Sequence, residues 1–138
     1  MSPASGGYSG TPLPAKLGLK AGMTVLLVGA PPGYDETLQP WPDGLRFVAS
    51  ASAAVGLVQA FHTRRTELAA DLRRFRQVLA PDAVLWVSWP KKASKVPTDI
   101  TEDVIRELAL PLDWVDVKVC AVDAVWSGLK LVVRKERR

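Results

Sequence analysis

Two stretches of this chain are apolar at nearly every position, and this restricts its fold more than any other feature. Met23-Thr24-Val25-Leu26-Leu27-Val28-Gly29 and Ala83-Val84-Leu85-Trp86-Val87-Ser88-Trp89 show no regular alternation of apolar and polar residues. A strand with one solvated face alternates with a period of two. A strand that is apolar at consecutive positions is covered on both faces, as in a parallel sheet held between helices. Shorter runs at Leu45 to Ala49 and Ala54 to Phe61 predict two more strands. Between them and the Ala83 run, Leu68, Leu72, Phe75 and Leu79 recur at spacings of four, three and four, which puts them on one helical stripe facing the sheet.

The remaining segments fit the same plan. Ala15 to Leu19 predicts one helical turn, stopped by Lys20-Ala21-Gly22, and Asp35 to Leu38 a short helix ended by Pro40 and Pro42. Thr98 to Asp103 is a cluster of capping and acidic residues that opens a helix through about Leu110, and Pro111 closes it. Trp114 to Val122 and Leu129 to Arg134 predict a closing hairpin joined by Asp123 to Gly128. Strands alternating with helices imply a three-layer α/β domain whose mostly parallel sheet of about six strands ends in a C-terminal antiparallel hairpin. The Ser-, Gly- and Pro-rich stretch 1–14 is expected to be loosely ordered, with residues 15–138 forming the single α/β domain.

Charge and composition narrow the function classes. The net charge is +4, of which Arg134, Lys135, Arg137 and Arg138 against Glu136 carry +3, so the body of the chain is nearly neutral. Nucleic acid is therefore disfavoured as a partner. The arginines around the Leu68 stripe alternate with Glu67 and Asp71 and suit a solvated helix face. One cysteine excludes an internal disulfide framework, and no apolar run approaches the ~20 residues of a membrane span. The expectation is a cytoplasmic protein with no membrane partner, acting on a small ligand or a protein partner, with self-association open.

Two loops stand out as candidate ligand-binding segments. Gly29-Ala30-Pro31-Pro32-Gly33-Tyr34 follows the first strand, at the carboxyl end where open α/β sheets bind ligands; Gly29, Pro32, Gly33 and Tyr34 are its candidates. Trp89-Pro90-Lys91-Lys92-Ala93-Ser94 follows the fourth strand, where Lys91, Lys92 and Ser94 suit an anion and Trp89 a planar group. The two loops and the Tyr8 to Leu13 segment are expected to share one crest. Trp86 and Trp89, three apart on a strand, fall on opposite faces. His62 and Asp123 lie near strand ends, Cys120 is expected to be a buried, inert thiol among valines, and one His with one Cys makes no metal site.

From Leu79-Ala80-Pro81 through the Trp89 strand, the Thr101 to Leu110 helix and the final hairpin, the chain resembles the closing half of class I methyltransferases. This resemblance implies a Rossmann-like, methyltransferase-like sheet. Tyr8-Ser9-Gly10-Thr11-Pro12-Leu13, the Gly29 and Trp89 loops and Trp126-Ser127-Gly128-Leu129-Lys130 also resemble an uncharacterised bacterial family that implies no activity. The front half departs from a methyltransferase cofactor site. Pro31 and Pro32 stand between Gly29 and Gly33, each removing a backbone donor, and Val48-Ala49-Ser50-Ala51 offers no carboxylate at the second strand's tip. No cofactor is expected and adenosylmethionine is disfavoured. The preferred reading is a non-catalytic small-ligand-binding or regulatory module on a degenerate fold. The alternatives are a small enzyme acting on an adenosyl or nucleotide-like ligand, and a protein-interaction subunit.

Overall fold

A computed structural model describes residues 11–138; the Tyr8 to Gly10 part of the expected crest lies outside them. The described chain runs α1 (Leu13–Leu17), β1 (Thr24–Val28), α2 (Tyr34–Thr37), β2 (Arg46–Val48), β3 (Leu57–Phe61), α3 (Arg65–Val78), β4 (Val84–Pro90), α4 (Glu102–Ala109), β5 (Trp114–Ala121) and β6 (Trp126–Val133). The strands form one six-stranded sheet in the order β2-β1-β3-β4-β6-β5. β2, β1, β3 and β4 pair in parallel, whereas β6 runs antiparallel to both β4 and β5. The expected mixed α/β architecture with its closing hairpin is therefore present.

Alternation along the strands divides the core between two faces. Val58 and Ala60 of β3, with Leu85, Val87 and Trp89 of β4, pack on one face with Leu68, Leu72 and Phe75 of α3 and Ile105 of α4. Leu57 and Phe61, with Trp86, face the other side and pack with Leu17 of α1, Tyr34 and Leu38. Trp86 and Trp89 are thus on opposite faces, as their spacing requires. Burying one such large apolar side chain stabilises the fold by about 1.5–3 kcal/mol. On the α1 face the Trp86 indole N–H also donates to the Leu17 carbonyl at 2.9 Å.

Helix ends are held by residues distant in sequence as well as by local caps. Arg64 offers no capping side chain at the start of α3. Asp99 supplies it instead, its Oδ1 accepting from the Arg65 amide at 2.6 Å. At α4, Thr101 caps the Val104 amide, and Arg106 joins Glu102, Asp103 at 3.2 Å and Asp116 of β5 at 2.9 Å. The Arg106 guanidinium holds the Asp116 carboxyl below its ordinary value, against a smaller opposing effect of burial.

Three local expectations are revised. α1 opens at Leu13 rather than Ala15, with a proline in its first turn, and ends at Gly18, which takes a φ of 84°. β6 begins at Trp126 rather than Leu129, because Asp123 Oδ1 accepts from both the Val125 and Trp126 amides at 2.8 Å and closes the hairpin in fewer residues. Cys120 is half-buried and its valine neighbours Val117 and Val119 are about half exposed, at 54% and 49%. β5 is an edge strand with a bulge between Asp116 and Lys118 that turns this stretch outward. Burial still pushes the Cys120 thiol up, away from the reactive thiolate.

At the carboxyl end of the sheet β1 and β3 nearly touch. Gly29 has a φ of +67°, and a Cβ there would lie 2.8 Å from the Phe61 carbonyl oxygen. Both the backbone angle and the space demand glycine. Gly29→Ala is therefore expected to cost at least about 2 kcal/mol of stability, read as a lower denaturation midpoint at unchanged slope. An unchanged midpoint would mean that the two strand ends part freely.

Linkage predicts a second effect. Because folding depresses the Asp116 carboxyl, its stabilisation is complete above the unfolded value of about 4 and is lost as the pH falls through the lower folded value. Asp116→Asn should melt below the wild type at pH 7, with the gap closing towards pH 3. A gap that stays constant over this range would show that the carboxylate charge contributes nothing.

Candidate functional site

The strand order locates the crevice of the sheet. The chain steps from β1 outward to β2, then returns to the other side of β1 for β3. Connections after β1 and β3 consequently leave in opposite directions, and the carboxyl ends of these two strands are where an open α/β sheet takes its ligand. Gly29 and Phe61 mark that point. From Gly29 the chain turns through Pro31 and Pro32, the Tyr34 amide donating to the Pro31 carbonyl at 3.1 Å, and Gly33 enters α2 with a φ of 76°.

This turn drives Tyr34 back beneath the crest. Its ring meets Phe61 edge-on with centroids 4.9 Å apart, and Phe61 meets Trp126 in the same manner at 5.1 Å. Buried polar atoms lie beside this aromatic row. Gln59 donates through Nε2 to Ser88 Oγ at 3.2 Å. Gln59 Oε1 and the Tyr34 hydroxyl have no hydrogen-bond partner among the described residues. Burial strongly raises the Tyr34 phenol above its ordinary value; the nearby Gln59 amide opposes this, and Asp123 and Cys120 add to it. Tyr34 is therefore a neutral phenol at physiological pH. An unpaired buried group of this kind costs about 1–3 kcal/mol unless a ligand or water completes it.

Tyr34 also lines a cavity of about 180 Å³ with Thr11, Leu13, Lys16, Thr37, Val122 and Asp123. Lys16 and Asp123 give its wall opposite charges, and among the described residues neither forms an ion pair. Asp123 Oδ1 is used within its own turn. Among the described residues the cavity wall thus carries a cation, an anion and the Tyr34 ring, a set suited to a small zwitterion.

The two loops singled out in the sequence do not share one cavity. Tyr34 faces the α1 side, whereas Trp89 packs on the α3 and α4 side. Pro32 and Gly33 are exposed on the loop above. Trp89, Lys91 and Lys92 line a separate hollow of about 540 Å³ with Ile100, Thr101 and Ser127 among others. Ser94 serves the loop itself, donating to the Lys91 carbonyl at 2.6 Å and accepting from the Val96 amide. His62 points to α3, with Nε2 2.9 Å from Asp71 Oδ2. Sequence reasoning overlooked Gln59, Ser88 and Lys16. Glutamine and serine inside otherwise apolar strands were the available signal for the first two.

No family model matches the chain, and no curated protein matches it by sequence. Solved structures do. A SAM-dependent methyltransferase from Aquifex aeolicus superposes with a TM-score of 0.62 at 18% identity over 86% of each chain. Aeropyrum pernix fibrillarin, solved with natively bound S-adenosyl-L-methionine, gives a TM-score of 0.57 at 11% identity over 88% of this chain and 69% of that one. A Bordetella parapertussis protein described only as a possible exported protein gives 0.58 at 11% identity, over 82% and 62%. With SAM-dependent methyltransferases as structural neighbours, the preferred reading of a non-catalytic binding or regulatory module is overturned. At these identities the similarity shows the fold alone: the chain is an α/β domain of the class I methyltransferase-like type.

Proposed function

We propose that this chain binds adenosylmethionine and acts as a small methyltransferase, with the amino-acid end of the ligand in the Lys16, Tyr34 and Asp123 cavity. The observation that carries this reading is a cavity lined by Tyr34, Lys16 and Asp123, in which, among the described residues, the Tyr34 hydroxyl has no hydrogen-bond partner and neither Lys16 nor Asp123 forms an ion pair. Lys16 would hold the ligand's carboxylate and Asp123 its ammonium. The neutral Tyr34 phenol would donate. Bound adenosylmethionine supplies an electrophilic methyl group on a sulfonium.

The fit is good at this end of the ligand and poorer at the other. The cavity's 180 Å³ is smaller than the roughly 300–1,000 Å³ of a pocket that engulfs a drug-sized ligand, so it takes the amino-acid end and leaves the nucleoside outside. Gly29 suits a crevice in which backbone lies close to backbone. Pro31 and Pro32 contribute no N–H groups, and the tip of β2 presents the Ser50 hydroxyl rather than a carboxylate. A ribose diol there finds no charge-assisted acceptor. The resemblance to an uncharacterised bacterial family adds no activity to this reading.

Calorimetry and thermal shift with adenosylmethionine, adenosylhomocysteine, ATP and methionine test it. A ligand at ~100 times its dissociation constant adds about 2.7 kcal/mol, enough to raise the midpoint by several degrees. The adenosyl compounds should give that shift and ATP should not. Asp123→Asn and Lys16→Met should each weaken adenosylmethionine about tenfold or more, the loss of one charge-assisted hydrogen bond. A shift with ATP alone, or none with the adenosyl compounds, refutes the proposal; full affinity in both variants removes the ligand from this cavity.

A further inference from the structure

The hollow beside β4 has a composition that the methyl-transfer reading does not use. Its floor is apolar: Trp89 and Ile100 are 8% and 2% exposed, and Pro90 is buried. Three polar side chains around it are already engaged. Thr101 caps α4, Thr98 Oγ1 donates to the Thr63 carbonyl at 2.7 Å, and the Glu102 carboxylate is taken by Arg106. Lys91 and Lys92 differ, because neither ammonium has an ion pair or a side-chain hydrogen bond among the described residues. Among the described residues Glu102 is the one carboxylate lining the hollow and is spent elsewhere, so the two lysines stand uncompensated by them beside an aromatic wall.

The lysine loop is also held in place before any ligand arrives. The Lys91 amide donates to the Val125 carbonyl at 2.7 Å, tying it to the β5–β6 turn. The Ser94 hydroxyl closes the turn that follows, so the ordering cost on binding falls mainly on the two lysine side chains. An apolar floor under two unpaired cations suits an anionic head group attached to a ring.

We infer that this hollow is a second ligand site, for a small organic anion with an apolar, preferably aromatic, body: the ring against Trp89, Pro90 and Ile100, the carboxylate or phosphate head on Lys91 and Lys92. The inference is independent of the methyl-transfer reading, since the hollow and the Tyr34 cavity draw their floors from opposite faces of the sheet. Calorimetric titration of the whole chain with 2-naphthoate, 2-naphthyl phosphate, 2-naphthol and inorganic phosphate tests it. One or both naphthyl anions should bind saturably, and the stronger one identifies the head group. 2-Naphthol and inorganic phosphate should each bind at least about tenfold more weakly, lacking the head and the ring respectively. The Lys91→Ala, Lys92→Ala double variant should lose that tenfold while keeping the wild-type melting temperature, and Lys16→Met, on the other cavity, should bind as the wild type does. Absence of saturable binding by either anion, equal affinity for 2-naphthol, or undiminished affinity in the double variant overturns the inference. So does a loss confined to Lys16→Met, which would place the anion in the other cavity.

Discussion

The α1 side of the molecule hangs on Trp86. It is fully buried in the middle of β4, and its indole N–H reaches the last carbonyl of α1, a helix too short to persist by its own backbone bonds. Gly128 on the neighbouring strand makes room for the ring, since a Cβ there would lie 3.2 Å from Trp86 Cε3. α1 in turn carries Leu13 and Lys16 to the wall of the Tyr34 cavity. The position of Lys16 in the wall of that cavity thus depends on a tryptophan in the centre of the sheet.

The fold could be read from the sequence because its strands and long helices carry strong periodic signals. Val25 to Val28 and Val84 to Trp89 have the continuous apolarity of strands covered on both faces, and Leu68, Leu72 and Phe75 the spacing of a helix on a sheet. Features set by single side-chain hydrogen bonds were not readable. The shortened β5–β6 turn depends on Asp123 folding back on two amides, and the start of α3 on Asp99, which is 34 residues away. The outward turn of Val117 and Val119 depends on a pairing offset between two strands that no local pattern encodes.

The candidate site was readable in the same uneven way. Gly29 and Tyr34 could be placed at a strand end because glycine and proline punctuate the loop. That the Tyr34 ring turns back under the crest, and that Trp89 looks the other way, follows from tertiary packing. The front-half departures, two prolines and a missing carboxylate, are real features of the chain, yet in the proposed reading they would bear on how the nucleoside end is held rather than on the polar residues beneath the crest. Inferring a non-catalytic module from them gave one half of the site the weight of the whole. The arginine-rich face of α3 is, by contrast, as ordinary as its sequence suggested: Arg65 pairs with Glu107, Arg74 with Asp71 at 3.0 Å, and Arg76 approaches Asp113 at 3.9 Å.

The bulge in β5 has a consequence for how the molecule meets its neighbours. β5 is the free margin of the sheet and shows solvent two valines, a combination that in a flat strand would recruit further strands from other copies. The extra residue between Asp116 and Lys118 breaks the regular spacing of the outward amides and carbonyls and places a lysine among the valines. A margin with this irregular spacing is a poor template for a straight partner strand.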